Sequence, residues 1–129
     1  MKERGGRVTP QDLYRFVDQR QKARQERWRM LHRQAFQDAE KILRLITEKY
    51  HPRRVIQWGS VLHPEQFRDY SDIDFAVEGI PDAETFFRLV GEAESLTRFP
   101  LDLVQWEHLE PPFQDLILSK GKVVYECSD

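Results

Sequence analysis

Three aspartates and one Gly-Ser pair are the residues of this sequence best suited to chemistry. Asp72 and Asp74 stand two apart in Ser71-Asp72-Ile73-Asp74-Phe75-Ala76-Val77. On a strand that spacing puts both side chains on one face, about 6.5–7 Å apart at their Cα atoms. Two carboxylates held that close repel, and ionising both costs free energy. A divalent cation removes the penalty, and Mg²⁺ is a hard ion that takes carboxylate oxygens together with substrate phosphates. Taken alone, Asp-x-Asp is also the pattern of a surface strand with two solvated acids. Asp102, in Leu101-Asp102-Leu103-Val104, supplies a third acid if its strand neighbours the first. Three carboxylates on one sheet face can hold two Mg²⁺ about 3.5–4 Å apart, an arrangement used for in-line phosphoryl or nucleotidyl transfer.

Gly59-Ser60 follows the β-type run Arg54-Val55-Ile56-Gln57-Trp58. A glycine at the end of a strand lets backbone N–H groups approach a ligand, and a following helical turn aims them at an anion. Ser60 adds a hydroxyl donor. A lone Gly-Ser is an ordinary turn, and its interest comes from standing one strand upstream of Asp72.

Several elements must position these residues. Thr9-Pro10-Gln11-Asp12 reads as a helix start, with a capping Thr, Pro at the first helical position and an acid in the first turn. No glycine or proline interrupts the chain from there to His51-Pro52, and apolar residues recur at helical spacing. The stretch between Val17 and Trp28 is nearly all polar, so the segment is expected as one long helix or two, with residues 31–50 on the core. The run from Ser71 to Val77 alternates, with Ile73, Phe75 and Val77 on one buried face. Gly79-Ile80-Pro81-Asp82 reads as a turn, Ala83 to Thr97 as a helix, and Leu101 to Trp106 as a strand. Pro111-Pro112 opens a helix to about Ser119, Gly121 caps it, and Lys122 to Glu126 is a last strand. The expected class is α/β (α+β), a small mixed sheet with helices packed against it and a long basic N-terminal helix.

The 129 residues suit one domain, with 40% hydrophobic residues to build a core. No apolar run approaches the length that spans a bilayer, and no apolar stretch follows the N-terminus as in a secretory signal, so a cytoplasmic protein with no membrane role is expected. The single Cys127 cannot form an internal disulfide or, by itself, a cysteine zinc site. The net charge of −2 conceals an asymmetry: residues 1–54 hold 15 Lys+Arg against 7 Asp+Glu, a net of +8, and residues 55–129 hold 5 against 15, a net of −10. A basic segment ahead of an acidic one suggests separate jobs.

Gly59-Ser60, the loop after it, the Ser-Asp-Ile-Asp of residues 71–74 and Leu101-Asp102-Leu103-Val104 together resemble the minimal nucleotidyltransferases of the DNA polymerase beta-like superfamily. The ending, from Pro112 to Glu126, is similar as well. The resemblance covers roughly residues 35–127. It implies a division into a basic helical extension, residues 1–30, and a nucleotidyltransferase domain, residues 31–129. It implies that Gly59 and Ser60, with Ser71, bind the nucleotide, that Asp72 and Asp74 ligate Mg²⁺, and that Asp102 binds the catalytic metal and helps deprotonate the attacking hydroxyl. The reaction implied moves a nucleoside monophosphate, typically AMP from ATP, to a hydroxyl, with pyrophosphate leaving. Many relatives are antitoxins that silence a HEPN-domain toxin by adenylylating it, by binding it, or both.

This chain departs from the family pattern in two places. The arginine and glycine that usually follow Gly-Ser are replaced by Val61-Leu62-His63-Pro64-Glu65, leaving Arg68, or weakly His63, to meet phosphate charge. The smallest relatives lack the N-terminal extension. The extension has three readings: a solvated helix; a surface for an acidic partner or a second copy, anchored by Leu13, Phe16, Val17 and Trp28; or an RNA-binding stripe of Arg15, Arg20, Arg24, Arg27 and Arg29. The rival to the enzyme is a binding antitoxin that has lost triphosphate binding through its altered loop. A further alternative is transfer to RNA or a small molecule. Trp28, Trp58 and Trp106 read as core or interface residues, with base stacking the alternative for Trp58 next to Gly59, and the four histidines show no metal-ligand spacing.

Overall fold

The structure, a computed structural model, describes residues 7–128. Helix α1 runs unbroken from Pro10 to Leu45. Thr9 Oγ1 accepts from the Asp12 N–H at 3.0 Å while Asp12 Oδ2 accepts from the Thr9 N–H at 3.1 Å, a reciprocal cap that satisfies two donors at the helix start. At about 1.5 Å per residue, its 36 residues span roughly 54 Å. The helix widens into one π turn, Ile46–Tyr50, and ends at His51, whose φ of 49° is left-handed and directs the chain to the buried Pro52. Of the two expected arrangements, the single helix is the one found, because nothing between Gln11 and Tyr50 breaks the backbone pattern.

The sheet has four strands in the order β3-β2-β1-β4, with β1 at Arg54–Trp58, β2 at Ile73–Glu78, β3 at Leu101–Gln105 and β4 at Lys122–Glu126. β1 lies antiparallel to both β2 and β4, whereas β2 and β3 are parallel and joined through helix α2, Ala83–Glu94. Helix α3, Pro111–Lys120, leads into β4. Val55, Ile73, Phe75 and Val77 form the core with Ala35, Ala39, Ile42 and Ile46 of the α1 segment and Phe86, Leu89 and Ala93 of α2.

Two expectations change. β2 is buried on both faces along part of its length: Ala76, on the face expected to be polar, is fully covered and packs with Ile56, Trp106 and Ile117. Trp106 and, from α3, Ile117 supply that cover, while Asp74 and Glu78 on the same face stay half-buried. Helix α2 stops at Glu94, short of Thr97, and Thr97 Oγ1 donates instead to the buried Asp38 at 2.7 Å. Gly121 caps α3 as expected, its N–H donating to the Ile117 carbonyl at 2.7 Å with φ at −104°. It is glycine because a Cβ would meet the Gln57 carbonyl oxygen at 2.5 Å and that of Ile117 at 2.7 Å. Among the described residues, no helix is long and apolar enough to cross a membrane.

Candidate active site

β1 delivers the chain to Gly59 at φ 86°, ψ −169°, a backbone conformation that L side chains rarely adopt. A Cβ there would collide with the Asp74 carboxylate. The backbone therefore passes directly over Asp74, which pairs across the sheet with Trp58. Ser60 then opens one tight turn, Ser60–Leu62, in which the Leu62 N–H donates to Gly59 O at 3.1 Å and the His63 N–H to Ser60 O at 3.0 Å.

On its other side Asp74 pairs in parallel register with Asp102 of β3. The expected adjacency of the two acid-bearing strands is thus present. Asp72 sits in the extended residue just ahead of β2, two positions before Asp74. The environment pushes the Asp74 carboxyl up to about 7, chiefly through burial, then through the charges of Asp102 and Asp72. Asp102 is exposed and Asp72 half-buried, so the trio opens to solvent on the Asp102 side. Among the described residues no group of three acidic, histidine or cysteine side chains is already gathered into a metal cage. The donor set nonetheless suits a hard cation: hard carboxylate oxygens, one of them under charge repulsion, beneath a backbone with room for no Cβ.

The other nucleotide-binding candidates have local duties. The Ser71 hydroxyl is buried and accepts from the Arg68 N–H at 2.8 Å, bracing the turn before Asp72. The Arg68 guanidinium donates to the carbonyls of Glu65 (3.1 Å) and Phe67 (2.8 Å) and lies 4.1 Å from the centre of the Trp28 ring. The His63 ring is nearest Glu65, with Nδ1 and Oε1 3.9 Å apart. Trp58 and Trp106 pack together with Ile56, Ala76 and Ile117, as core residues.

Trp28, expected as an anchor for a partner, is engaged within the chain. Its Nε1–H donates to Asp69 Oδ1 at 2.7 Å, and Arg27 Nε donates to the other oxygen at 3.0 Å. One turn further along, His32 Nε2 donates to Val61 O at 2.7 Å. The sequence carried no local signal for these contacts, since they join residues 29 to 42 positions apart. They also show α1 meeting the body from Arg27 onward and running without a break through residue 30.

The profile of the family described as "Polymerase beta, Nucleotidyltransferase" matches residues 40–129. The chain belongs to the polymerase beta nucleotidyltransferase family. Its match starts inside α1, at residue 40. No curated protein matches the chain. Among solved structures, a chain of a toxin–antitoxin complex crystallised with AMP-PNP is similar at 23% identity and a TM-score of 0.57, covering 70% of this chain and 74% of that one. A chain of the toxin–antitoxin MntA-HepT is similar at 19% identity and a TM-score of 0.54, covering 70% and 71%. These likenesses establish that the chain shares their fold.

Proposed function

We propose that the protein is a Mg²⁺-dependent nucleotidyltransferase that moves AMP from ATP to a hydroxyl of a partner protein, acting as the antitoxin of a toxin–antitoxin pair. The observation that carries this reading is the in-register pairing of Asp74 with Asp102 beneath the Gly59 backbone. Family membership supports the reaction class, and the complexes named above support the nucleotide and a HEPN-type toxin as partner.

In this reading Asp72, Asp74 and Asp102 hold two Mg²⁺, and Gly59 and Ser60 receive the triphosphate. The bound cations would neutralise phosphate charge and acidify the acceptor hydroxyl. The acceptor oxygen bonds to the α-phosphorus, the bond from that phosphorus to the pyrophosphate oxygen breaks, and pyrophosphate leaves. Asp102, the most exposed of the three, accepts the proton from the hydroxyl. Asp74 is held between Trp58 and Asp102 in the sheet, which fixes its backbone while substrate arrives.

The partner docks on the free part of α1. Leu13, Phe16 and Val17 are exposed near its start, and Arg20 and Arg24 continue the same side. The body is acidic, so an anionic partner is repelled elsewhere and drawn to this arm. Transfer to RNA along that arginine stripe is the alternative for the acceptor. One observation favours a second reading, a non-catalytic binding antitoxin: the loop's one arginine is held on Trp28 and on backbone carbonyls.

The deciding experiment incubates ATP labelled at the α-phosphate with Mg²⁺, the protein and host lysate, beside Asp72→Asn/Asp74→Asn. A labelled protein band absent from the control is the expected result. Labelled nucleic acid would move the acceptor to RNA, and no label in either sample would favour the binding antitoxin.

A further inference from the structure

The segment that separates the two halves of the site, residues 59–71, has little regular structure of its own: a bend at Gly59, two single 3₁₀ turns and a turn at Asp69–Tyr70. It begins with Gly59-Ser60 and ends against Asp72, so its shape sets the distance between phosphate loop and carboxylates. Such a segment needs outside support to hold one conformation. That support comes from one side of α1. His32 donates to the Val61 carbonyl at 2.7 Å and packs edge-on against the fully buried Phe67 ring, 5.5 Å between centres. Trp28 and Arg27 occupy both oxygens of Asp69. The face of Trp28 carries the Arg68 guanidinium.

We propose that Arg27, Trp28 and His32 are positioning residues for the nucleotide site, holding Gly59-Ser60 and Asp72 at their working separation from the stretch of α1 that precedes the family match. The inference rests on the nucleotidyl-transfer reading. Trp28 is the centre of the device, since it engages Arg68 through its ring and Asp69 through its N–H. An exposed Arg–Asp pair alone contributes little, and the Arg27–Asp69 pair is exposed on both sides. The indole donor and the ring beneath a guanidinium add directional and cation–π terms that an ion pair lacks. Arg68 is accordingly a strut of this loop. The basic helix thus has a second job besides recognition: its middle turns complete the site.

The test uses the full chain and the variants Trp28→Ala, Trp28→Phe, His32→Ala and His32→Gln, with two readouts. The first is amide hydrogen exchange over residues 59–72, with β1 as internal control. The second is Mg²⁺–ATP affinity. Trp28→Ala and His32→Ala are expected to speed exchange in 59–72 at least tenfold, with β1 unchanged, and to weaken ATP at least tenfold. Trp28→Phe keeps a ring under Arg68 but loses the donor to Asp69, so it should fall between. Gln at 32 can still donate to Val61 O and should restore much of the loss. Unchanged exchange in both alanine variants overturns the latch. Faster exchange with wild-type ATP affinity overturns the positioning role. If Trp28→Ala fails to fold, Trp28→Phe and the His32 pair decide by the same criteria. A wild-type protein that binds no Mg²⁺–ATP overturns the nucleotidyl-transfer reading itself, and this role with it; the variants alone overturn only the latch.

Discussion

Gly59 lies so close over the carboxylate of Asp74 that no Cβ fits between them. The end of β1 and the start of β2 are therefore one unit: the residue that turns the chain into the Ser60–Leu62 turn is packed on the acid at the centre of the trio. Asp102 closes the unit from β3.

Gly59→Ala should damage both stability and binding. The φ of 86° is strained for alanine, and the new methyl would displace Asp74. We expect a loss of about 1–3 kcal/mol in urea unfolding and no rise in melting temperature on adding Mg²⁺–ATP.

Asp74→Asn should stabilise the ligand-free protein at high pH. The folded-state value of about 7 lies above the 3.8 of an ordinary aspartate. Between these values the native chain holds a proton that the unfolded chain has released, so stability falls as pH rises through the interval. Below the lower value both states are protonated and the contribution is fully present. The variant should therefore melt above wild type at pH 8, and the difference should shrink toward pH 4. Thermal melts across this range check it; a constant difference would refute the linkage.

Mg²⁺ with ATP should raise the wild-type melting temperature by mass action. Asp72→Asn/Asp74→Asn should abolish the shift. Asp102→Asn, as loss of a proton acceptor and metal ligand, should reduce label transfer by about 10²-fold or more while leaving the fold intact, because Asp102 is exposed. Circular dichroism and the labelled-ATP assay distinguish the two effects.

Removal of residues 1–24 should leave melting temperature and ATP affinity near wild type, since Arg27, Trp28 and His32 remain. It should weaken capture of the partner protein, because Leu13, Phe16, Val17, Arg20 and Arg24 are gone. Co-purification with the partner is the measurement. A truncated protein that captures it as well as wild type would remove the arm from the interface.

Gly121→Ala should destabilise without touching the site. Its methyl would press on the Gln57 and Ile117 carbonyls. Overpacking of this kind costs about 1–3 kcal/mol, read by denaturation, with the Mg²⁺–ATP shift retained.

The order of helices and strands was legible in the sequence because each element declares itself locally. Thr9-Pro10 starts a helix, His51-Pro52 ends one, and the alternation around Asp72 and Asp74 is a strand. The pairing of the acids at i and i+2 is likewise a property of strand geometry alone. Everything that depends on which segments meet was decided by the tertiary structure. Whether Asp102 joins the pair is a matter of strand order, set by the β2-α2-β3 crossover that makes the two strands parallel neighbours. The double burial of β2 follows from where α3 settles, and the need for glycine at 121 from a carbonyl 64 residues earlier in the chain. Trp28 shows the limit most plainly. Its type and its place in a basic helix suit a partner's surface, yet its ring and N–H are taken up by Arg68 and Asp69. Periodicity reports which side of a helix is apolar; only the packed chain determines what that side meets.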